Sequence, residues 1–290
     1  MSDPPEIPDS AWTEWGGDGP RLVLAHANGF TPGCYCTLIG RLRSDFSVAT
    51  FAARPLWGNA EPAAVGSWLP LADDLARLLE SRRETAVVGV GHSLGGVLTA
   101  LAATAPPSRF TALVLLDPVV FSGHRAYLWG WMKRLGLGSR FPLARGARRR
   151  RDRWPDLESV RASWQGRAMF RGWDPRALED YLEASVTEAA DGAWVLRYPR
   201  AWEARIFEIC PHDLWPQLRR VEAPTLVVRG PASDTLAPGA AARMANEMPD
   251  ATVLELEGTS HFLPMEKPDE VARLIVDFAG APDRPPRSAP

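Results

Sequence analysis

The sequence predicts an α/β fold with a mostly parallel sheet, and three observations predict it. Short apolar, β-branched runs alternate with longer stretches of helical spacing. A glycine-rich turn, Val88-Gly89-Val90-Gly91-His92-Ser93-Leu94-Gly95-Gly96, joins one such run directly to a helical stretch. The alternation stops near residue 120 and resumes at Glu222-Ala223-Pro224-Thr225-Leu226-Val227-Val228.

The elements follow in order. Strands are expected at 21–25, 47–51, 85–90, 111–116, 225–228 and 251–256. Most are nearly continuous apolar runs, as parallel strands covered on both faces require. A helix is expected over 67–82, where Leu71, Leu75, Leu78 and Leu79 share one face and Asp73, Asp74 and Glu80 the other. Further helices are expected over 97–104 and 269–279. Residues 120–218 show no clear buried strand; amphipathic helical patterns, such as 175–189, dominate there. The organisation is therefore a core in two parts, 1–120 and 219–280, interrupted by a mainly helical subdomain at 121–218. The Pro-rich residues 281–290 are expected to be a disordered tail.

Composition narrows the function classes. The chain has 290 residues, 46% hydrophobic and 23% charged, with a net charge of −2. That excludes a general polyanion binder. The start, Met1-Ser2-Asp3-Pro4-Pro5-Glu6, lacks the basic and apolar regions of a signal peptide. No apolar run reaches the roughly 18 residues that span a bilayer. Three cysteines, Cys34, Cys36 and Cys210, do not form a disulfide framework, and the five histidines are scattered without metal-ligand spacing. A cytoplasmic protein without metal is expected. The 12 tryptophans are unusual beside 10 Phe and 4 Tyr.

The glycine-rich turn fits Gly-x-Ser-x-Gly as Gly91, Ser93 and Gly95. A strand-to-helix reversal this tight needs glycine on both sides, because β-carbons there would clash. It holds the serine hydroxyl clear of the sheet, at the positive end of the next helix. A dinucleotide-binding reading competes, with Gly89-x-Gly91-x-x-x-Gly95 as fingerprint and Asp117 as ribose acid. Its spacing misses by one residue, and the junction is not the first βα unit.

A serine nucleophile needs a base and an acid that orients the base. On such a sheet the order is Ser, acid, His. Asp234 lies in a loop after the 225–228 strand and His261 in a loop after the 251–256 strand. Ser93, Asp234 and His261 therefore form the expected triad. Asp117, which also ends a strand, is the alternative acid; otherwise it closes the turn Leu116-Asp117-Pro118. The oxyanion needs two backbone N–H donors. Leu94 follows the nucleophile and supplies one. The turn His26-Ala27-Asn28-Gly29-Phe30 supplies the other, with Asn28 favoured, Phe30 the alternative, and His26 read as a structural residue fixing the loop.

On Gly-His-Ser-Leu-Gly-Gly, the Ser-Asp-Thr-Leu acid loop and the Ser-His-Phe base loop, the chain resembles the α/β-hydrolase superfamily. The match covers 21–120 and 224–279. It implies the α/β-hydrolase fold, a cap domain inserted after the strand ending at Leu116, and no cofactor. Where the superfamily has His-Gly after its first parallel strand, this chain has His26-Ala27-Asn28-Gly29. A serine rather than an aspartate nucleophile argues against the epoxide hydrolase and haloalkane dehalogenase branches.

Eight tryptophans fall in the suspected cap: Trp129, Trp131, Trp154, Trp164, Trp173, Trp194, Trp202 and Trp215. Most are read as the core of a small subdomain and a few as pocket lining. The run Arg148-Arg149-Arg150-Arg151-Asp152-Arg153 is read as solvated surface; an anionic substrate group or an anionic surface is the alternative, and nucleic acid is not expected. The expected function is hydrolysis of a carboxylic ester, lactone or thioester with an apolar acyl group. Carbon–carbon bond hydrolysis, acyl transfer and a receptor-like role with little turnover are the alternatives on the same triad.

Overall fold

A computed structural model describes residues 5–280; the tail expected at 281–290 and the first residues of the chain lie outside the described residues. Five strands precede the insert: β1 (Trp12–Gly16), β2 (Arg21–Ala25), β3 (Ser47–Phe51), β4 (Val87–His92) and β5 (Phe110–Leu116). Helices α1 (Cys36–Leu42), α2 (Leu69–Ser81) and α3 (Leu94–Ala102) connect them. After the insert come β9 (Thr225–Arg229), α10 (Pro238–Glu247), β10 (Ala251–Glu255), α11 (Leu263–Glu266) and α12 (Pro268–Ala279).

These strands form one seven-stranded sheet in the order β1-β3-β2-β4-β5-β9-β10. All pairs are parallel except β1 with β3. Every residue of β4 and of β9 is buried, the burial of strands with helices on both faces. On one face the leucines of α2 pack with α3. On the other, Leu38, Ile39 and Leu42 of α1 meet Val271 and Ile275 of α12. β1 was not expected from the sequence. It is an edge strand with polar Thr13 and Glu14 exposed, so it lacks the apolar run that marks its neighbours.

The insert between β5 and β9 holds α4 (Gly123–Arg134), α5 (Pro142–Arg149), α6 (Leu157–Trp164), α7 (Pro175–Ser185), α8 (Arg200–Glu208) and α9 (Trp215–Leu218). The insert also holds three short strands that the sequence did not show. β6 (Arg153–Trp154), β7 (Val186–Glu188) and β8 (Trp194–Leu196) form a small antiparallel sheet in the order β6-β8-β7. The helical pattern expected to 189 ends at Ser185, where β-branched Val186 and Thr187 pair with β8 instead. Strands of two or three residues are too short to leave a period in the sequence. Of the eight insert tryptophans, six are buried, Trp194 is half-buried and Trp131 is exposed.

The insert is tied to the core beside the β2 loop. Asn28 Nδ2 donates to the Glu203 carbonyl at 3.1 Å, and the Tyr198 hydroxyl donates to Asn28 Oδ1 at 2.8 Å. Trp68 Nε1 donates to the Ile206 carbonyl at 3.0 Å.

Candidate active site

The elbow takes the shape that its glycines allow. Ser93 has φ 55° and ψ −115°, a conformation that costs a non-glycine residue about 1–3 kcal/mol. A β-carbon on Gly91 would run into the Gly95 carbonyl, and one on Gly95 into the Ala25 carbonyl. The Ser93 N–H donates to the Leu116 carbonyl at 2.9 Å, which locks the elbow to the neighbouring strand end.

That neighbouring strand end leads into Asp117. β4 and β5 pair with His92 opposite Leu116, so Asp117 stands level with Ser93. Asp117 has φ 45°, and its N–H donates to the Val228 carbonyl of β9 at 2.7 Å. Its fully buried carboxylate accepts from His261 Nδ1 at 2.7 Å and from Ser233 Oγ at 2.5 Å, both on Oδ2. Oδ1 has no partner among the described residues. The expectation that Asp234 would hold His261 is therefore corrected. Asp234 is exposed, five residues past the end of β9, and makes no hydrogen bond or ion pair among the described residues. Asp234 borders the same cavity as Ser93 without reaching His261, and the residue before it, Ser233, is the one that bonds Asp117.

His261 is held from three sides. Its Nδ1–H faces Asp117, which leaves Nε2 as the basic nitrogen. Its carbonyl accepts from His92 Nε2 at 2.9 Å. Its loop is pinned by Glu266, which accepts from the Ser260 N–H at 2.7 Å and the Ser260 hydroxyl at 2.6 Å. Ser93 and His261 border the same cavity. Among the described residues the Ser93 hydroxyl makes no hydrogen bond; a looser contact is common before substrate arrives.

A proton-ordered chain runs behind the site. The Ala27 N–H donates to the Tyr35 hydroxyl at 3.0 Å, and that hydroxyl donates to His92 Nδ1 at 2.8 Å. Since His92 Nε2 donates to the His261 carbonyl, each group has one consistent role. Burial, then the nearby His261, push the His92 pKa down to about 3, so the ring stays neutral. His26 is likewise buried and pushed down to about 4. Its Nε2 accepts from the Ala53 N–H at 3.0 Å and its Nδ1 donates to the Ala27 carbonyl at 2.8 Å, so it holds the β2 loop.

That loop separates the two candidate oxyanion donors. The Phe30 N–H is used on the Ala27 carbonyl at 3.2 Å. The Asn28 N–H has no acceptor among the described residues. Leu94 opens α3, where its N–H has no partner within the helix.

The cavity above these groups has a volume of about 620 Å³. Its wall is largely apolar, with Phe30, Trp68, Phe121, Phe141, Ile206 and Phe262 among its residues. Of the insert tryptophans, Trp164 lines it. One member of the basic run turns inward. Arg150 borders the cavity and donates to Glu203 at 3.0 Å and to the Tyr181 hydroxyl at 2.7 Å. Burial works against its charge, but Tyr181 and Glu203 outweigh that and hold its pKa above the ordinary arginine value.

The model of the alpha/beta hydrolase family matches residues 22–274. The chain belongs to this family. Among curated proteins, it is 24% identical to a 2-(acetamidomethylene)succinate hydrolase of Mesorhizobium japonicum over 265 residues, 91% of this chain and 90% of that one. It is 35% identical to a type I acyl-CoA thioesterase of Penicillium brevicompactum over 118 residues, 39% of this chain and 25% of the relative. Among solved structures, E-2-(acetamidomethylene)succinate hydrolase superposes with a TM-score of 0.73 at 23% identity, covering 93% of this chain and 94% of that one. The chain is thus an α/β-hydrolase by family and fold. The resemblance read from the elbow and the two loops is shown, and the aspartate that meets His261 follows a different strand from the one expected.

Proposed function

We propose that this protein is a serine hydrolase of carboxylic esters or thioesters with an apolar acyl group, acting through Ser93, His261 and Asp117. The observation that carries the reading is the 2.7 Å bond from His261 Nδ1 to the buried Asp117, beside a serine held at a strained elbow. Ser93 Oγ attacks the carbonyl carbon while His261 Nε2 takes its proton. Asp117 keeps His261 in the tautomer that exposes Nε2 and stabilises the imidazolium. The Leu94 and Asn28 amides receive the oxyanion. His261 then hands its proton to the leaving alcohol or thiol, and the acyl-enzyme forms. Water, activated by the same histidine, releases the acid and restores Ser93.

The insert acts as a cap whose aromatic wall takes the acyl chain, which suits the largely apolar cavity. The thioester branch is included because one relative is named an acyl-CoA thioesterase. A fluorophosphonate probe should label the wild type and not Ser93→Ala. A p-nitrophenyl ester series should turn over repeatedly, with the rate rising with acyl length. Labelling that persists in Ser93→Ala removes the nucleophile, and a single turnover without recovery removes the hydrolase.

A further inference from the structure

Between Asp117 and Asp152 the chain carries nine basic residues and no acidic one, in a protein of net charge −2. This stretch holds α4 and α5. Of the six large apolar side chains that stand exposed among the described residues, five lie here: Tyr127, Leu128, Trp131, Leu135 and Leu143. Tyr127, Trp131 and Leu135 follow at spacings of four, so they share one face of α4 and its C-terminal end. Arg134, Arg140, Arg145 and Arg149 are exposed between and beside them and have no carboxylate partner among the described residues. A soluble surface normally scatters its apolar side chains and mixes its charges. Here both rules are broken in one place.

We infer that the α4–α5 face docks on an anionic lipid surface. Charge complementarity selects that occupant. Trp, Tyr and Leu set among arginines are the side chains that enter the headgroup boundary of a bilayer, and the arginines meet its anionic headgroups. A second copy of this chain fits poorly, because a two-fold contact would lay this positive face against itself. No helix of the described residues is long and apolar enough to cross a membrane, so the association is peripheral.

The position of the face gives docking a consequence. Arg125 at the start of α4 and Leu143 on α5 both border the cavity above Ser93. Docking would bring the cavity rim to the surface, where apolar acyl substrates collect. That consequence rests on the hydrolase reading; the docking itself does not.

The test is co-sedimentation of the full chain with vesicles. One set is made of equal parts phosphatidylcholine and phosphatidylglycerol, the other of phosphatidylcholine alone. The protein should sediment with the anionic vesicles at low salt and be released as salt is raised. Each neutralised arginine should weaken binding about fivefold, so Arg134→Gln, Arg140→Gln, Arg145→Gln and Arg149→Gln together should weaken it about six-hundredfold. Trp131→Ser with Leu135→Ser should weaken it about tenfold. Both variants should hydrolyse a water-soluble ester at the wild-type rate. Absence from the anionic pellet, or equal binding to the neutral vesicles, overturns the inference. Because binding is read without turnover, an inactive protein that binds defeats only the hydrolase reading, and an active one that does not bind defeats only this one.

Discussion

Asp117 and Asp234 each follow a strand of the same sheet, and their surroundings could hardly differ more. Asp117 is fully buried, held at positive φ by β9, and shares one carboxylate oxygen between His261 and Ser233. Asp234 sits in the exposed part of a loop and meets no partner among the described residues. Both satisfy the chain order of serine, acid, histidine. What separates them is strand register, since the pairing of β4 with β5 sets Asp117 level with Ser93. The loop after β9 instead lends a hydroxyl, from Ser233.

The largest effect that can break this comparison is on turnover. Asp117→Asn should lower kcat by about 10⁴-fold, the loss when the acid of such a triad becomes an amide. Asp234→Asn should change it by less than about threefold. Asp117→Asn should still fold, because asparagine tolerates positive φ and removes a buried charge. Steady-state kinetics with a thermal melt of each variant checks both statements.

A second effect lies in acid stability. His26 and His92 have folded pKa values of about 4 and about 3, below the ordinary 6.5. A depressed histidine pKa means that the fold favours the neutral ring. The stability it adds is complete above pH 6.5 and is lost as pH falls through the folded values. The Tm should drop by more than about 5 °C between pH 6.5 and 4. His92→Gln, which retains a donor and an acceptor, should flatten that profile. An unchanged slope in His92→Gln would remove His92 from the account.

The smallest effect sharpens the role of Ser233. Ser233→Ala removes one of the two hydrogen bonds to Asp117 Oδ2 while leaving His261 in place. A loss of roughly 1–2 kcal/mol in transition-state stabilisation, about tenfold in kcat, is expected. A KM change without a kcat change would place Ser233 on the substrate instead.

Much of this was legible in the sequence, for a physical reason. Buried parallel strands must be apolar throughout, so β2 to β5 and β9 stand out. The elbow at Ser93 excludes β-carbons at Gly91 and Gly95, which leaves a readable spacing. His261 was legible from its place after the strand that became β10. The acid was not, because two aspartates met the same rule and the deciding fact is register between strands far apart in sequence. Tyr35, Glu266 and Ser233 left no signal, since each acts through a hydrogen bond that only the fold creates. Arg150 was hidden within its basic run, where its neighbours Arg149 and Arg151 are exposed.

The most direct test of the account is the proton on His261 Nδ1. In a hydrogen bond to a buried carboxylate it should give a far-downfield proton resonance, assigned by its loss in His261→Gln. The account predicts that this resonance survives Asp234→Ala and disappears in Asp117→Ala. Its survival in Asp117→Ala, with loss in Asp234→Ala, would contradict the account.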